Sequence, residues 1–123
     1  RRLVKAIKGG RIAYLIPDED LGDTNSVFSP FFGIPTATVP VVGWLASLTD
    51  AAVVPVFTRM LDNGRYAFDI KPPLPGFPLG DKQADAATVN SVFEAEIRSA
   101  PEQALWTFKW FKTRPDNDVS PYD

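Results

Sequence analysis

Two carboxylates at the end of a short apolar run have the clearest potential for chemistry. Asp18 and Asp20 follow the apolar run 11–16 and precede Gly22. A strand that ends in paired acids can build a polar site, because ligands of α/β sheets bind outside the carboxyl ends of strands. The 123 residues contain no histidine and no cysteine, so they supply no standard nucleophile and base. Any chemistry here must use carboxylates, arginines and hydroxyls, or the reactive centre must lie outside these residues.

Three roles for this acidic pair stay open from the residues alone. The carboxylates could accept hydrogen bonds from the hydroxyls of a ligand, or they could hold a cationic side chain in place. They could also simply bond to backbone N–H groups of their own loop. A glycosidase site is disfavoured, because two acids on one loop are poorly placed to flank a glycosidic bond.

Three basic residues are candidates for binding an anionic substrate. Arg59 lies at the end of a predicted strand, and Lys112 and Arg114 lie in a basic and aromatic segment. A guanidinium suits bidentate contact with phosphate, while solvent exposure is the plainer alternative. Trp106 and Trp110 beside these cations suit a membrane interface, although a core position is favoured for Trp106.

Charge and length limit the other classes of function. The net charge of −2 argues against a nucleic-acid partner. Residues 1–11 nevertheless hold five bases and no acid, so this end could touch a membrane surface or an acidic protein, or form an ordinary solvated helix face. No apolar run approaches the roughly 20 residues that span a bilayer. Without histidine or cysteine, no metal site or cofactor is predicted.

Hydrophobic periodicity predicts an α/β fold, a mixed sheet with helices packed on it. The hairpin turn is expected at Asp62-Asn63-Gly64, with Tyr66, Phe68 and Ile70 on the buried face. Thr38 is expected to cap the second helix, whose core face would carry Val41, Trp44, Leu45 and Leu48. The predicted helices are 1–8, 38–49, 84–100 and 102–108, and the predicted strands are 11–16, 52–59 and 65–71, with an extended piece at 27–32.

The sheet is thin, and the chain begins inside a helix without a methionine. We therefore expect residues 1–123 to be a fragment of a longer chain, with missing residues that complete the sheet.

An ordered set of short motifs resembles a known family. The pieces are Pro17-Asp18-x-Asp20-x-Gly22, Val27-Phe28-x-Pro30-Phe31-Phe32-Gly33, Ala37-Thr38, Leu45-Ala46, Ala52-Val53-Val54-Pro55, Asp62-x-Gly64-x-Tyr66, Asn90, Glu94, Ala100-Pro101-Glu102-Gln103-x-Leu105-Trp106 and Phe111-Lys112-Thr113-Arg114-Pro115. Together they resemble the C-terminal part of the bacterial lipid A biosynthesis (lauroyl/myristoyl) acyltransferases, within the lysophospholipid acyltransferase superfamily. The resemblance runs along essentially the whole chain, and it implies that residues 1–123 are the C-terminal part of a single acyltransferase domain that lacks its N-terminal half.

The resemblance implies transfer of a fatty acyl group from acyl carrier protein to a hydroxyl of a lipid A precursor, at the cytoplasmic face of the bacterial inner membrane. The family's catalytic histidine, followed five positions later by Asp or Glu, would lie upstream of Arg1. The 123 residues alone would then be inactive. Asp18 and Asp20 would shape the acceptor side, and Arg59, Lys112 and Arg114 would meet anionic groups. Alternatives are a phospholipid or phosphatidylinositol-mannoside acyltransferase, and a non-catalytic lipid-binding or interaction module on the same scaffold.

The chain departs from the family pattern just before its last block. Phe108 and Trp110 stand where the family usually has His and Arg, and Ala104 replaces a usual Tyr. Ser47 and Asp50 replace a usual Arg and Gly. The departures put any phosphate contact from residues 106–110 in doubt without affecting the predicted fold.

Overall fold

The computed structural model describes residues 1–122 and confirms the α/β class. The strands form two separate antiparallel pairs rather than one sheet. The elements in chain order are α1 (Arg2–Lys8), β1 (Val27–Phe31), β2 (Ile34–Thr38), α2 (Val41–Thr49), β3 (Val56–Met60), β4 (Tyr66–Ile70) and α3 (Lys82–Ser99), followed by short 3₁₀ turns at Pro101–Gln103 and Pro115–Asn117.

The first hairpin contains a strand that the sequence pattern missed. Phe32 and Gly33 both have positive φ, 51° and 76°, as a tight two-residue hairpin turn requires. They return the chain so that Val27 pairs with Thr38. Thr38 therefore ends β2 and does not cap α2, contrary to the prediction. The neighbouring prolines and the Thr38-x-Pro40 pattern, which looks like a helix start, concealed this strand.

The second hairpin has the predicted turn. The Asn63 side chain accepts a hydrogen bond from the backbone N–H of Arg65 at 3.0 Å, and Gly64 has φ 76°. Pro55 precedes β3 instead of interrupting it, which suits its missing N–H. The hairpin and its register, with Met60 opposite Tyr66, follow from this turn.

The prediction of which hairpin face is buried was wrong. Tyr66, Phe68 and Ile70 are 68%, 72% and 69% exposed. The opposite face lies against α3, where the rings of Phe57 and Phe93 meet edge to face at 5.6 Å. Alternation identified two faces, but the docking of α3 decided which one is covered.

The run 11–16 is not a strand in the described chain. It is extended without a ladder, and Ile12, Tyr14 and Ile16 are 98%, 77% and 68% exposed. The backbone N–H of Arg11 instead bonds to Ala6 O, 3.1 Å away, at the end of α1. A strand needs a neighbour to complete its hydrogen bonds, and no strand among residues 1–122 pairs with this run.

The core lies where α3 packs on β1 and on α2. The buried face of α2 carries Val42, Leu45 and Ala46, while Trp44 and Leu48 are 51% and 42% exposed, contrary to the prediction. Asp81 caps α3, since its carboxylate accepts the Ala84 N–H at 2.8 Å. The core side chains are Phe31, Ala37, Val42, Leu45, Ala46, Ala86 and Val89.

Within residues 1–122, none of the helices combines the length and the apolar character that crossing a membrane requires. In place of the helix predicted at 102–108, the described chain has a single 3₁₀ turn, Pro101–Gln103.

Candidate acceptor-side site

Asp20 joins its own loop, which also carries Asp18, to segment 111–115, which carries Lys112 and Arg114. Its Oδ1 accepts hydrogen bonds from Gly22 N–H at 2.9 Å and from the Thr113 hydroxyl at 2.8 Å. Its Oδ2 accepts the Thr113 N–H at 2.7 Å. The Lys112 ammonium also donates to the Asp20 backbone oxygen at 3.3 Å. Residues 93 positions apart are thus held in contact by a single carboxylate.

Arg114 attaches segment 111–115 to β2. One guanidinium N–H, on Nη1, donates to the backbone oxygen of Pro35 in β2 at 2.9 Å. A guanidinium has five N–H donors, so this contact leaves donors for an anionic ligand. The structure therefore places Lys112 in contact with Asp20 and holds Arg114, two positions along, at β2; their role in binding a substrate stays a prediction.

Asp18 borders a small pocket beside this segment. The pocket has a volume of about 40 Å³. Within residues 1–122, Asp18 Oδ1 is buried and has no hydrogen-bond partner, and the same holds for Trp110 Nε1. A buried carboxylate oxygen without a donor is costly, so it is a strong potential acceptor. The lining residues are Pro17, Asp18, Glu19, Asp20, Phe31, Thr36, Ala37, Thr38, Asn90, Phe93, Ile97 and Trp110.

The wall of this pocket is held by α3. The Asn90 amide donates to Pro30 O at 3.0 Å and to the Thr38 hydroxyl at 2.9 Å. One turn later, Glu94 accepts the Phe32 N–H at 2.7 Å. These three hydrogen bonds reach Pro30, Phe32 and Thr38, all in the first hairpin. They fix the first hairpin against the helix that borders the site.

Aromatic residues pack beside the same segment. Trp110 is half-buried, with its ring centroid 5.5 Å from Phe31 and 5.8 Å from Trp106 in edge-to-face contacts. Trp106 is 60% exposed, so the prediction that it is core was wrong. Its indole N–H instead donates to Pro101 O at 2.7 Å. Trp110 lies where the family usually has Arg, and it fills this position by packing.

Sequence reasoning missed Thr113, Thr38 and Trp110 as site residues. Thr113 lies inside the block 111–115 that carries the family resemblance, so that block was the available signal. Nothing in the local sequence indicated that Thr38 and Trp110 would meet at one pocket, because 72 positions separate them in the chain.

Arg59 lies apart from this site, on β3. Its guanidinium is 3.2 Å from an Asp69 oxygen and 3.8 Å from a Glu96 oxygen. Lys71 joins the same carboxylates at 2.5 Å and 3.1 Å. The role of Arg59 in substrate binding stays a prediction, since none of its described contacts reaches the Asp20 segment.

This ion-pair group gives a pH dependence with a definite sign. The Lys71 hydrogen bond holds the pKa of Asp69 below its ordinary 3.8, and bonds to Asp69 and Glu96 raise the pKa of Lys71 above 10.5. Ionised Asp69 therefore stabilises the fold above pH 3.8, and this contribution is lost as pH falls through the lowered pKa. The Lys71 contribution is present below pH 10.5 and is lost above it.

We expect Asp69→Asn to lower the urea midpoint at neutral pH, with a difference from wild type that shrinks in acid. The matched control is Asp23→Asn, because Asp23 is exposed and, among residues 1–122, its side chain bonds only to the neighbouring Thr24. A wild-type to Asp69→Asn difference that stays constant down to strongly acid pH would contradict the assigned ion pair.

Comparison with known proteins identifies the family of this fold and site. Residues 1–113 match the sequence pattern of the family described as bacterial lipid A biosynthesis acyltransferase. The chain belongs to this family. The matched region contains the Asp18–Asp20 loop and Thr113, the two partners of the tie described above.

Individual lipid A acyltransferases are similar over almost the whole chain. The chain is 38% identical to the lipid A biosynthesis lauroyltransferase of Escherichia coli (strain K12), over 98% of its own length and 40% of the relative's. It is 40% identical to the lipid A biosynthesis palmitoleoyltransferase of the same organism, over 99% of its own length and 40% of the relative's. It is 31% identical to the lipid A biosynthesis myristoyltransferase of Escherichia coli (strain K12), over 97% of its own length and 37% of the relative's. The chain thus spans about two fifths of the length of the curated relatives it matches.

Among the described residues, no group of three or more His, Cys, Asp or Glu side chains is arranged to hold a metal ion.

Proposed function

We propose that the complete protein transfers a fatty acyl group from acyl carrier protein to a hydroxyl of a lipid A precursor. The observation that carries the proposal is the family match over residues 1–113, which includes both partners of the Asp20–Thr113 tie. Relatives named for lauroyl, palmitoleoyl and myristoyl transfer support the same reaction with several acyl groups.

The reaction needs a base that these residues do not supply. The acceptor oxygen attacks the thioester carbonyl, a C–O bond forms, the C–S bond breaks, and the hydroxyl proton passes through a base to the leaving sulfur. Residues 1–123 contain no histidine. We therefore assign the base to a His-x4-Asp/Glu motif upstream of Arg1, and we expect these residues alone to be inactive.

The described site would act on the acceptor. Lys112 and Arg114 flank Thr113, so the Asp20 tie holds both cations in one segment. We assign them to the phosphate groups of the lipid A precursor, for which a cationic donor gives short, strong hydrogen bonds. The free Oδ1 of Asp18 would accept a hydrogen bond, either from a sugar hydroxyl of the acceptor or from the upstream catalytic group.

The proposed place of action is the cytoplasmic face of the bacterial inner membrane, where the protein would contact the membrane surface. Exposed aromatic and basic residues support this placement. Trp106 and Phe108 are 60% and 39% exposed, close in sequence to Lys109 and Lys112. Tryptophan and lysine are the residues that accumulate at head-group depth.

Arg114→Ala in the full-length protein should lower the rate of acyl transfer at limiting lipid A precursor by roughly tenfold or more, because charged hydrogen bonds contribute about 1.5–3 kcal/mol. The assay follows transfer of a labelled acyl group from acyl carrier protein. Lys82→Ala is the control, since Lys82 is an exposed cation at the start of α3.

Two results would count against the proposal. Absence of transfer by a wild-type protein that carries an intact upstream His-x4-Asp/Glu motif would overturn the reaction. Equal activity of Arg114→Ala and Lys82→Ala would remove Arg114 from the acceptor site while leaving the reaction in place.

A further inference from the structure

An apolar groove between α1 and α2 is separate from the acceptor-side site. Its volume is about 430 Å³, within the range of ligand-binding clefts. Its lining residues are Arg1, Val4, Lys5, Lys8, Trp44 and Leu48. None of these residues lines the pocket beside Asp18.

The exposed side chains of α2 give the groove an apolar floor. Trp44 is 51% exposed and Leu48, one turn later, is 42% exposed. The helix Val41–Thr49 carries no charged residue, so this surface has no ionic partner of its own. On the facing helix, Val4 adds an apolar side chain to the lining of the groove.

The cations of α1 are not used inside the described chain. Within residues 1–122, neither Lys5 nor Lys8 forms an ion pair, although Arg59, Lys71 and Arg98 all do. Residues 1–11 contain no acid that could neutralise them. Unpaired ammonium groups therefore border an apolar groove that has an indole at its edge.

We infer that this groove docks on the anionic phospholipid head groups of a bilayer, with Trp44 and Leu48 entering the interface and Lys5 and Lys8 meeting phosphate. The inference rests on the proposed action at a membrane surface and names the face that makes the contact. A cationic rim complements anionic lipid, because the negative surface potential attracts basic residues that lie near the membrane. Tryptophan at half exposure fits the head-group region, where its ring is apolar and its N–H stays wet.

The test measures the depth of Trp44 in a membrane. The full-length protein is reconstituted in phosphatidylcholine vesicles with and without phosphatidylglycerol, using lipids brominated on the acyl chains as quenchers. The difference in quenching between wild type and Trp44→Phe belongs to Trp44, whatever other tryptophans contribute. We expect Trp44 to be quenched on the anionic vesicles, with at least a twofold loss of that quenching at about 1 M salt, where the Debye length is about 3 Å.

The matched variants separate charge from packing. Lys5→Gln with Lys8→Gln should weaken Trp44 quenching at least about twofold, because two cationic contacts with anionic lipid are removed. Lys82→Gln, on α3, should leave it unchanged. Absence of Trp44 quenching on every vesicle would overturn the inference, and so would equal quenching on neutral and anionic vesicles.

Protection of Trp44 by acyl carrier protein instead of by vesicles would overturn the inference in favour of an acidic protein partner. Acyl transfer is measured separately, on precursor dispersed in detergent. A protein that transfers the acyl group but shows no Trp44 quenching keeps the proposed function and loses only this docking face. A protein that shows the quenching but no acyl transfer keeps this docking face and loses the proposed function.

Discussion

Asp20→Ala should lower the free energy of unfolding of the full-length protein by about 2–4 kcal/mol, because hydrogen bonds to a charged group contribute about 1.5–3 kcal/mol each before relaxation. The variant removes three hydrogen bonds, those from Gly22 N–H, Thr113 N–H and the Thr113 hydroxyl. Urea unfolding followed by circular dichroism gives the difference, and a lower midpoint with an unchanged slope identifies a loss of stability.

The control for Asp20 is Asp23→Ala in the same loop. Asp23 is exposed, and within the described part of the chain its side chain accepts a single hydrogen bond, from the Thr24 hydroxyl at 3.3 Å. Asp23→Ala should therefore lower the free energy of unfolding by no more than about 0.5 kcal/mol. Asp20→Asn keeps one oxygen but turns an NH₂ group toward a donor, so we expect an intermediate loss. An Asp20→Ala variant as stable as Asp23→Ala would show that the Asp20–Thr113 contact does not hold the segment.

The same substitution connects stability to activity. Releasing Thr113 frees the flanking Lys112 and Arg114, so acyl transfer should fall in Asp20→Asn even at temperatures where the variant is fully folded. Asp20 then acts as a positioning residue for the two cations. Wild-type transfer by a folded Asp20→Asn variant would reduce Asp20 to an ordinary loop residue.

Gly43→Ala should destabilise the protein by about 2–3 kcal/mol, although alanine is the better helix former by about 1 kcal/mol. A Cβ at Gly43 would meet both Cβ and Cγ of Asp85 at 2.8 Å, closer than real Cβ contacts come. Asp85 cannot yield freely, because it is buried in α3 and its carboxylate accepts the Leu79 N–H at 2.6 Å. The absent side chain at Gly43 therefore lets α2 and α3 approach.

The thermal midpoint of Gly43→Ala is compared with that of Gly9→Ala. Gly9 has an ordinary φ of −85° and is exposed, and its added Cβ would lie 3.3 Å from Lys5 O. We expect Gly9→Ala to lower the free energy of unfolding by at most about 1 kcal/mol. A Gly43→Ala variant that unfolds at a higher temperature than wild type would mean that helix propensity outweighs the contact with Asp85.

Local signals predicted the elements that local chemistry controls. Gly9 and Gly10 end α1, Asp62-Asn63-Gly64 turns the second hairpin, and the apolar spacing of 84–100 gives α3 within two residues at its start and one at its end. A turn or a helix end depends on a few neighbouring φ angles and hydrogen bonds, so its information lies in adjacent residues.

The candidate site could be predicted only in part. The family resemblance brought Asp18, Asp20, Lys112 and Arg114 into one list. In the structure Asp20 bonds to Lys112 and Thr113, while Arg114 bonds separately to Pro35 in β2. The residues that line the pocket come from distant segments, and their meeting depends on the docking of α3 on β1. Sequence spacing carries no record of such a meeting.

The sequence by itself determined the family and the α/β composition. It also predicted a base outside these residues and the acidic and basic residues of the site, and those stay predictions. Only the tertiary structure decided which faces are covered. It exposed Tyr66, Phe68 and Ile70, left Arg11–Ile16 without a strand partner, and turned Asp20 from a free acid into a triple hydrogen-bond acceptor. Periodicity shows on which face of a helix or strand a residue lies. Whether that face is buried or paired depends on a second element, whose position is set by the packing of the whole chain.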